Sequence, residues 1–147
     1  MSAETKSKPA TQSKSKSSEA PAPSRTPASI VWFEIPAQSV ERARTFYSQM
    51  FGWNINAMPG MGDYLHIDTG GADASPDGAL MSRQHPGQGI TNYIMVDSVN
   101  EAVTKIQLLG GKICKSKTPV SGMGYYAVCQ DTEGNTFAVW ERSEQAP

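Results

Sequence analysis

The chain has 147 residues, is 38 % hydrophobic, and carries 13 Lys and Arg against 14 Asp and Glu for a net charge of −1. That balance argues against a nucleic-acid face, which needs a basic surface. No apolar run approaches the roughly 20 residues of a membrane span.

Residues 1–29 contain no Val, Ile, Leu, Phe, Trp, Tyr or Cys. Such a stretch buries too little apolar area to offset its ordering entropy and reads as a disordered Lys/Ser/Pro/Ala-rich tail. Its five basic residues against Glu4 and Glu19 give +3, which leaves −4 on residues 30–147. No apolar segment follows the first lysines as a secretory signal would require. Residues 30–147 are long enough for one core-bearing domain. The two cysteines, Cys114 and Cys129, lack CxxC spacing and suggest a reducing compartment, with the cytoplasm as the expectation.

In chain order, the first strand is "SIVWFEIP", where alternation sets Phe33 and Ile35 on one face and Trp32, Glu34 and Pro36 on the other. A helix follows, with Val40, Ala43, Phe46, Tyr47, Met50 and Phe51 on one stripe and Gly52 as its stop. Three strands are expected near 53–58, 63–69 and 77–83. The pattern then restarts with "ITNYIMV", and a second helix has Val99, Ala102, Val103, Ile106 and Leu109 on one face. Ser98 and Glu101 have capping-box spacing, and Gly110-Gly111 closes that helix. Strands near 112–118, 124–130 and 136–142 complete the chain.

The order strand, helix, three strands therefore occurs twice, and "GMGDYLHID" (60–68) returns as "GMGYYAVCQD" (122–131). One copy leaves a sheet face uncovered, so two must combine. The fold class is α+β, two tandem βαβββ modules (about 30–84 and 90–142) whose curved mixed sheets carry helices on one face and an open cup on the other.

"FEIP" with "ERARTFYSQMFGW", "VDSVNEAVTKIQLLGGKI" and "DTEGNTFAVWE" carry a resemblance to the vicinal oxygen chelate superfamily, which includes glyoxalase I, bleomycin-resistance proteins and extradiol dioxygenases. It covers roughly residues 29–142. Metal-dependent members hold an ion in the cup with His, Gln or Glu from the first and last strands of each module. Laid on that pattern, Trp32, a residue around Ala79 to Met81, Thr91 and Ala138 take the four places. A divalent ion needs three or four N, O or S donors, which Trp and Ala cannot supply. The resemblance thus implies a lost metal site and no cofactor.

If Trp32 stands at a ligand position, its face is the cup. The same parity places Tyr64, His66 and Asp68, Thr91, Tyr93 and Met95, and Ala138 and Trp140 there too, as candidate ligand-binding residues. Trp32 and Trp140 either stack on a ligand or pack on each other and close the cup. Glu34 either anchors a ligand, pairs with Arg83 or points to solvent at the sheet rim. His66 and Asp68 form either an acid/base pair or a solvated polar face. The Met61 and Met123 loops are either adaptable lids or turns that happen to repeat.

The leading expectation is a metal-free protein that holds a partly aromatic, neutral or cationic small molecule, with a homodimer implied by resemblance. The alternatives are a glyoxalase-like lyase or isomerase, using either a displaced metal site or Glu34 and His66 as its catalytic acid and base, and an inert interaction scaffold.

Overall fold

Ten elements follow in the expected order: β1 (Ile30–Ala37), α1 (Val40–Phe51), β2 (Asn54–Ala57), β3 (Leu65–Asp68), β4 (Asp77–Ser82), β5 (Thr91–Met95), α2 (Val99–Leu108), β6 (Lys112–Val120), β7 (Gly124–Gln130) and β8 (Thr136–Arg142). The structure, a computed structural model, describes residues 27–71 and 76–147. Residues 1–26 of the expected tail lie outside the described residues. The remainder is tied in at Ser29, whose carbonyl accepts the Met95 N–H at 2.9 Å. No described helix is long and apolar enough to cross a membrane.

Local chemistry sets the helix ends. The Ser39 hydroxyl accepts the Arg42 N–H at the start of α1, and Gly52 ends that helix at φ 73°, a left-handed conformation that favours glycine. At α2 the Ser98 hydroxyl accepts the Glu101 N–H, as the capping spacing predicts. The entry into β8 is a turn built on Asp131. The Asn135 N–H to its Oδ1, the Asn135 side-chain amide to its Oδ2 and the Glu133 N–H to its Oδ1 hold its carboxyl below the ordinary range.

All eight strands form one sheet, in the order β2-β3-β4-β1-β5-β8-β7-β6. Within each module the first strand pairs in parallel with the last, β1 with β4 and β5 with β8. The modules meet through antiparallel pairing of β1 with β5. The sequence leaves open whether modules pair within a chain; these strands pair within it.

Two apolar clusters lie beneath the helices. Ile35, Ile55, Leu65, Ile67 and Leu80 form the first, against Phe33, Val40, Ala43, Tyr47 and Trp53. Val99, Ala127, Cys129 and Val139 form the second, against Ala102, Val103 and Ile106. Cys129 is fully buried and its thiol is pushed up to about 11, chiefly by burial; Cys114 is exposed. The apolar stripes overshoot what the sheet covers. Phe46, Met50 and Phe51 are more than half exposed, and Leu109 is 68 % exposed. Phe46 meets Tyr47 edge-on at 5.2 Å and Phe51 meets Trp53 at 5.3 Å, so these rings border the core layer without entering it. Leu109 is the C-cap of α2, beyond its last sheet-facing turn.

Candidate functional site

Opposite the helices, the sheet holds a cavity of about 440 Å³. Alternation along β1 places its components: Phe33 and Ile35 go to the core beneath α1, so Trp32 and Glu34 project the other way. Trp32 lies directly across from Tyr93 in the β1–β5 pair. β5 adds Tyr93 and Met95, β7 adds Tyr126 and β8 adds Trp140. Met58 and Met61 close one side from the loop between β2 and β3. Val120, at the end of β6, and Met123, in the loop before β7, close the other. The C-terminal segment fixes the second loop, with the Ser143 N–H donating to the Met123 carbonyl and the Gly122 N–H to that of Ala146.

Glu34 is the carboxylate in this lining, and both its oxygens are engaged. The Tyr64 hydroxyl donates to Oε2 at 2.6 Å, and the Tyr93 hydroxyl donates to Oε1 at 2.9 Å. Trp32 Nε1–H donates to the Tyr64 oxygen at 2.9 Å, making a relay of donors that ends on the carboxylate. Such charge-assisted bonds are the stronger kind. Both phenols titrate far above the ordinary tyrosine range. Burial is the largest cause, followed by the charge of Glu34 and the hydrogen bond to it. Through neutral pH they are uncharged O–H donors.

The linkage has a definite sign. Unfolded tyrosines release protons near pH 10, while folded Tyr64 and Tyr93 keep theirs well beyond it. Their contribution to stability is therefore complete below about pH 10 and is lost as the pH climbs above it. Titration of phenolate absorbance should show Tyr64 and Tyr93 ionising only with unfolding. Native-state ionisation of all five tyrosines near pH 10 would contradict the buried hydrogen bonds.

The expected site residues divide by position. Trp32, Glu34, Tyr64, Tyr93, Met95 and Trp140 line the cavity. His66, Asp68, Thr91 and Ala138 do not appear in its wall. His66 stacks on Trp32, with ring centres 5.8 Å apart and planes within 9°, and its Nε2 lies 3.1 Å from Asp77 Oδ2. The partner of His66 is thus the diagonal carboxylate of the adjacent strand and not Asp68. Asp68 is exposed and its carboxylate accepts the Gly70 N–H. Thr91 and Ala138 are buried beneath the lining. Arg83 does not pair with Glu34: its guanidinium donates to the carbonyls of Pro36 and Gln88. The two tryptophans do not close the cup. Trp32 leans on His66 and Trp140 lies against Gly124, with the cavity between.

Six lining residues are missing from the candidate ligand-binding residues: Val31, Met58, Val120 and Tyr126, with Met61 and Met123, whose loops the sequence offers only as lids. Tyr126 was legible, since it holds the place in the second repeat that Tyr64 holds in the first. Val31 was not, because the β1–β5 register is irregular between Ile30 and Trp32 and strict alternation fails there.

The register also refines the four positions implied by resemblance. Glu34 stands opposite Ala79 in β4 as Tyr93 stands opposite Ala138 in β8, so the vaguer position is Ala79. Trp32, Ala79, Thr91 and Ala138 offer one hydroxyl between them, a donor set that does not fit a divalent ion. Among the described residues no group of three or more His, Cys, Asp or Glu is disposed to hold one.

Comparison with known proteins agrees with the architecture. Residues 29–70 match the family described as bleomycin resistance protein-like N-terminal. A glyoxylase-like domain-containing protein of Didymella fabae is 34 % identical over 123 residues, covering 77 % of this chain and 93 % of that one. The anthracycline biosynthesis protein DnrV of Streptomyces peucetius is 27 % identical over 138 residues, and this chain spans only 48 % of its length. Among solved structures, a glyoxalase/bleomycin resistance protein/dioxygenase superfamily member from Vibrio splendidus aligns with a TM-score of 0.57 at 13 % identity, over 80 % of this chain and all of that one. The paired βαβββ modules and these matches together establish that the chain belongs to the vicinal oxygen chelate superfamily, in its glyoxalase and bleomycin-resistance group.

Proposed function

We propose that this chain is a metal-free binding protein of the glyoxalase/bleomycin-resistance type, holding a partly aromatic, neutral or cationic small molecule in the cup. One observation carries the reading: a cavity of about 440 Å³ walled by Trp32, Tyr93, Tyr126, Trp140 and methionines, with a single carboxylate oriented by two phenols. Aromatic and thioether walls supply contact area to a range of shapes, and a few fixed polar groups supply orientation. The donor set at the four superfamily positions supports the absence of a metal. A cavity of this size counts against an inert scaffold. The reading extends to a cytoplasmic homodimer, on the two free cysteines and on resemblance.

A glyoxalase-like lyase or isomerase is the second reading, favoured by the name of the Didymella relative. It would have to work with Glu34 and the phenols, since His66 faces Trp32 and Asp77.

The test is elemental analysis of protein purified without chelator, followed by divalent-ion and ligand titrations read by tryptophan fluorescence. Trp32 and Trp140 line the cavity and report its occupancy. Saturable quenching by aromatic ligands on metal-free protein is the expected result. Near-stoichiometric bound metal, or tight metal binding abolished by Glu34→Gln, would overturn it in favour of the enzyme.

A further inference from the structure

The cup combines a carboxylate with a wall of aromatic rings. Its carboxylate carries a negative charge, yet among the described residues no lysine, arginine or histidine forms an ion pair with Glu34. Around it stand aromatic rings: Trp32 and Tyr64 on one side and Tyr93 on the other, with Tyr126 tilted against Tyr93 at 6.1 Å between ring centres. Faces of this kind attract cations through the ring quadrupole, most strongly where water is excluded. A charge in apolar surroundings is costly until a counter-charge reaches it.

The hydrogen-bond count narrows the cation further. Each Glu34 oxygen already accepts a phenol hydrogen, and the rest of the wall is mainly ring and thioether. A primary ammonium brings three N–H donors against the two acceptor sites these bonds leave on Glu34. An alkylated ammonium brings one or none, and its methyl groups present a diffuse charge to the rings. The exposed Lys115 sets the side of the seat. Its Nζ is 2.6 Å from the Tyr126 hydroxyl and 5.0 Å from that ring's centre, so Tyr126 already has a cation of its own. The remaining rings of the lining are Trp32, which stacks on His66 with one face, Tyr64, Tyr93 and Trp140, the first three beside Glu34.

We propose that the cup is an aromatic cage for a tertiary or quaternary alkylammonium group carried on an apolar or aromatic body, with Glu34 as its counter-charge. This rests on the reading of the cup as a ligand site and adds the charge and substitution of the ligand.

Two probes of nearly one shape separate the claims: (3-hydroxyphenyl)trimethylammonium and its neutral isostere 3-tert-butylphenol. Their affinities for the full chain are measured by calorimetry in high salt, where the general attraction of an acidic surface is screened. The cation should bind about tenfold more tightly or better. Glu34→Gln, which keeps the shape, should bring the two within about threefold of each other by weakening only the cation. Equal affinity of both probes for the unaltered protein would overturn the ammonium seat while leaving a binding cup. Binding of neither at millimolar concentration would overturn both readings. A cation preference that survives in Glu34→Gln would overturn the role of Glu34. Because the first comparison uses the unaltered chain, it decides even if the variant folds poorly.

Discussion

Gly78→Ala is expected to lower the unfolding free energy by about 3 kcal/mol or more, the upper end of what overpacking costs. Gly78 is buried in β4, directly across from Phe33 in the parallel β1–β4 pair. A Cβ built there falls onto the Phe33 carbonyl oxygen and within 2.6 Å of Cδ2 and 2.7 Å of Cε2. The ring alone cannot relieve this, because the carbonyl belongs to the strand pairing. Nor is the ring free to swing, since it packs against Trp53 at 6.2 Å, and Trp53 in turn stacks on Tyr47 at 5.5 Å with planes within 6°. The insertion therefore spreads into the aromatic layer that seats α1, and parts β4 from the strand carrying Trp32 and Glu34. Gly89 is the control. It lies in a loop with nothing within 4 Å of an added Cβ and no positive φ, so Gly89→Ala should stay within about 0.5 kcal/mol of the parent. Urea unfolding of the two variants reads the difference. A Gly78→Ala loss below about 1 kcal/mol would mean that the sheet yields at this point and that the layer is looser than its geometry.

What could be read from the sequence follows from which signals are local. Helix α1, helix α2 and the strand order depend on periodicity and on Ser98, Gly52 and the repeated GMG segment, all encoded within a dozen residues. The cup face follows from parity once one residue of β1 is oriented. Pairings across the sheet are of a different kind. Asp77 comes to His66 because β4 lies beside β3, and Tyr64 and Tyr93 come to Glu34 from chain positions 30 and 59 residues away. Nothing in the neighbourhood of Glu34 in sequence announces two phenols, and the nearest plausible partner by charge, Arg83, is spent on backbone carbonyls. The overestimate at Phe46, Met50 and Phe51 has the converse origin. Periodicity reports a wide apolar stripe, but only the lattice of β1, β2 and β4 beneath α1 decides how much of it is covered.

Removing both phenol hydroxyls that hold Glu34 should be the most damaging conservative change in the cup. Tyr64→Phe with Tyr93→Phe keeps both rings and their packing but leaves the carboxylate without its two donors. At about 1.5 kcal/mol for each hydrogen bond to a charged group, the double variant should lose about 3 kcal/mol of stability. The single variants should not be equal. Tyr64→Phe also strips the acceptor from Trp32 Nε1–H, so it should cost more than Tyr93→Phe and should shift the emission of Trp32. In a Glu34→Gln background the same pair should cost about 1 kcal/mol, because a neutral amide demands less of its donors, and the difference measures the coupling directly. A double variant within about 1 kcal/mol of the parent would show that water, not Tyr64 and Tyr93, satisfies Glu34. If instead the cycle closes as expected, the phenols do two things at once. They make a lone carboxylate tolerable in an apolar cup and, by taking one acceptor site on each of its oxygens, leave it less to offer a charge that brings many hydrogen-bond donors.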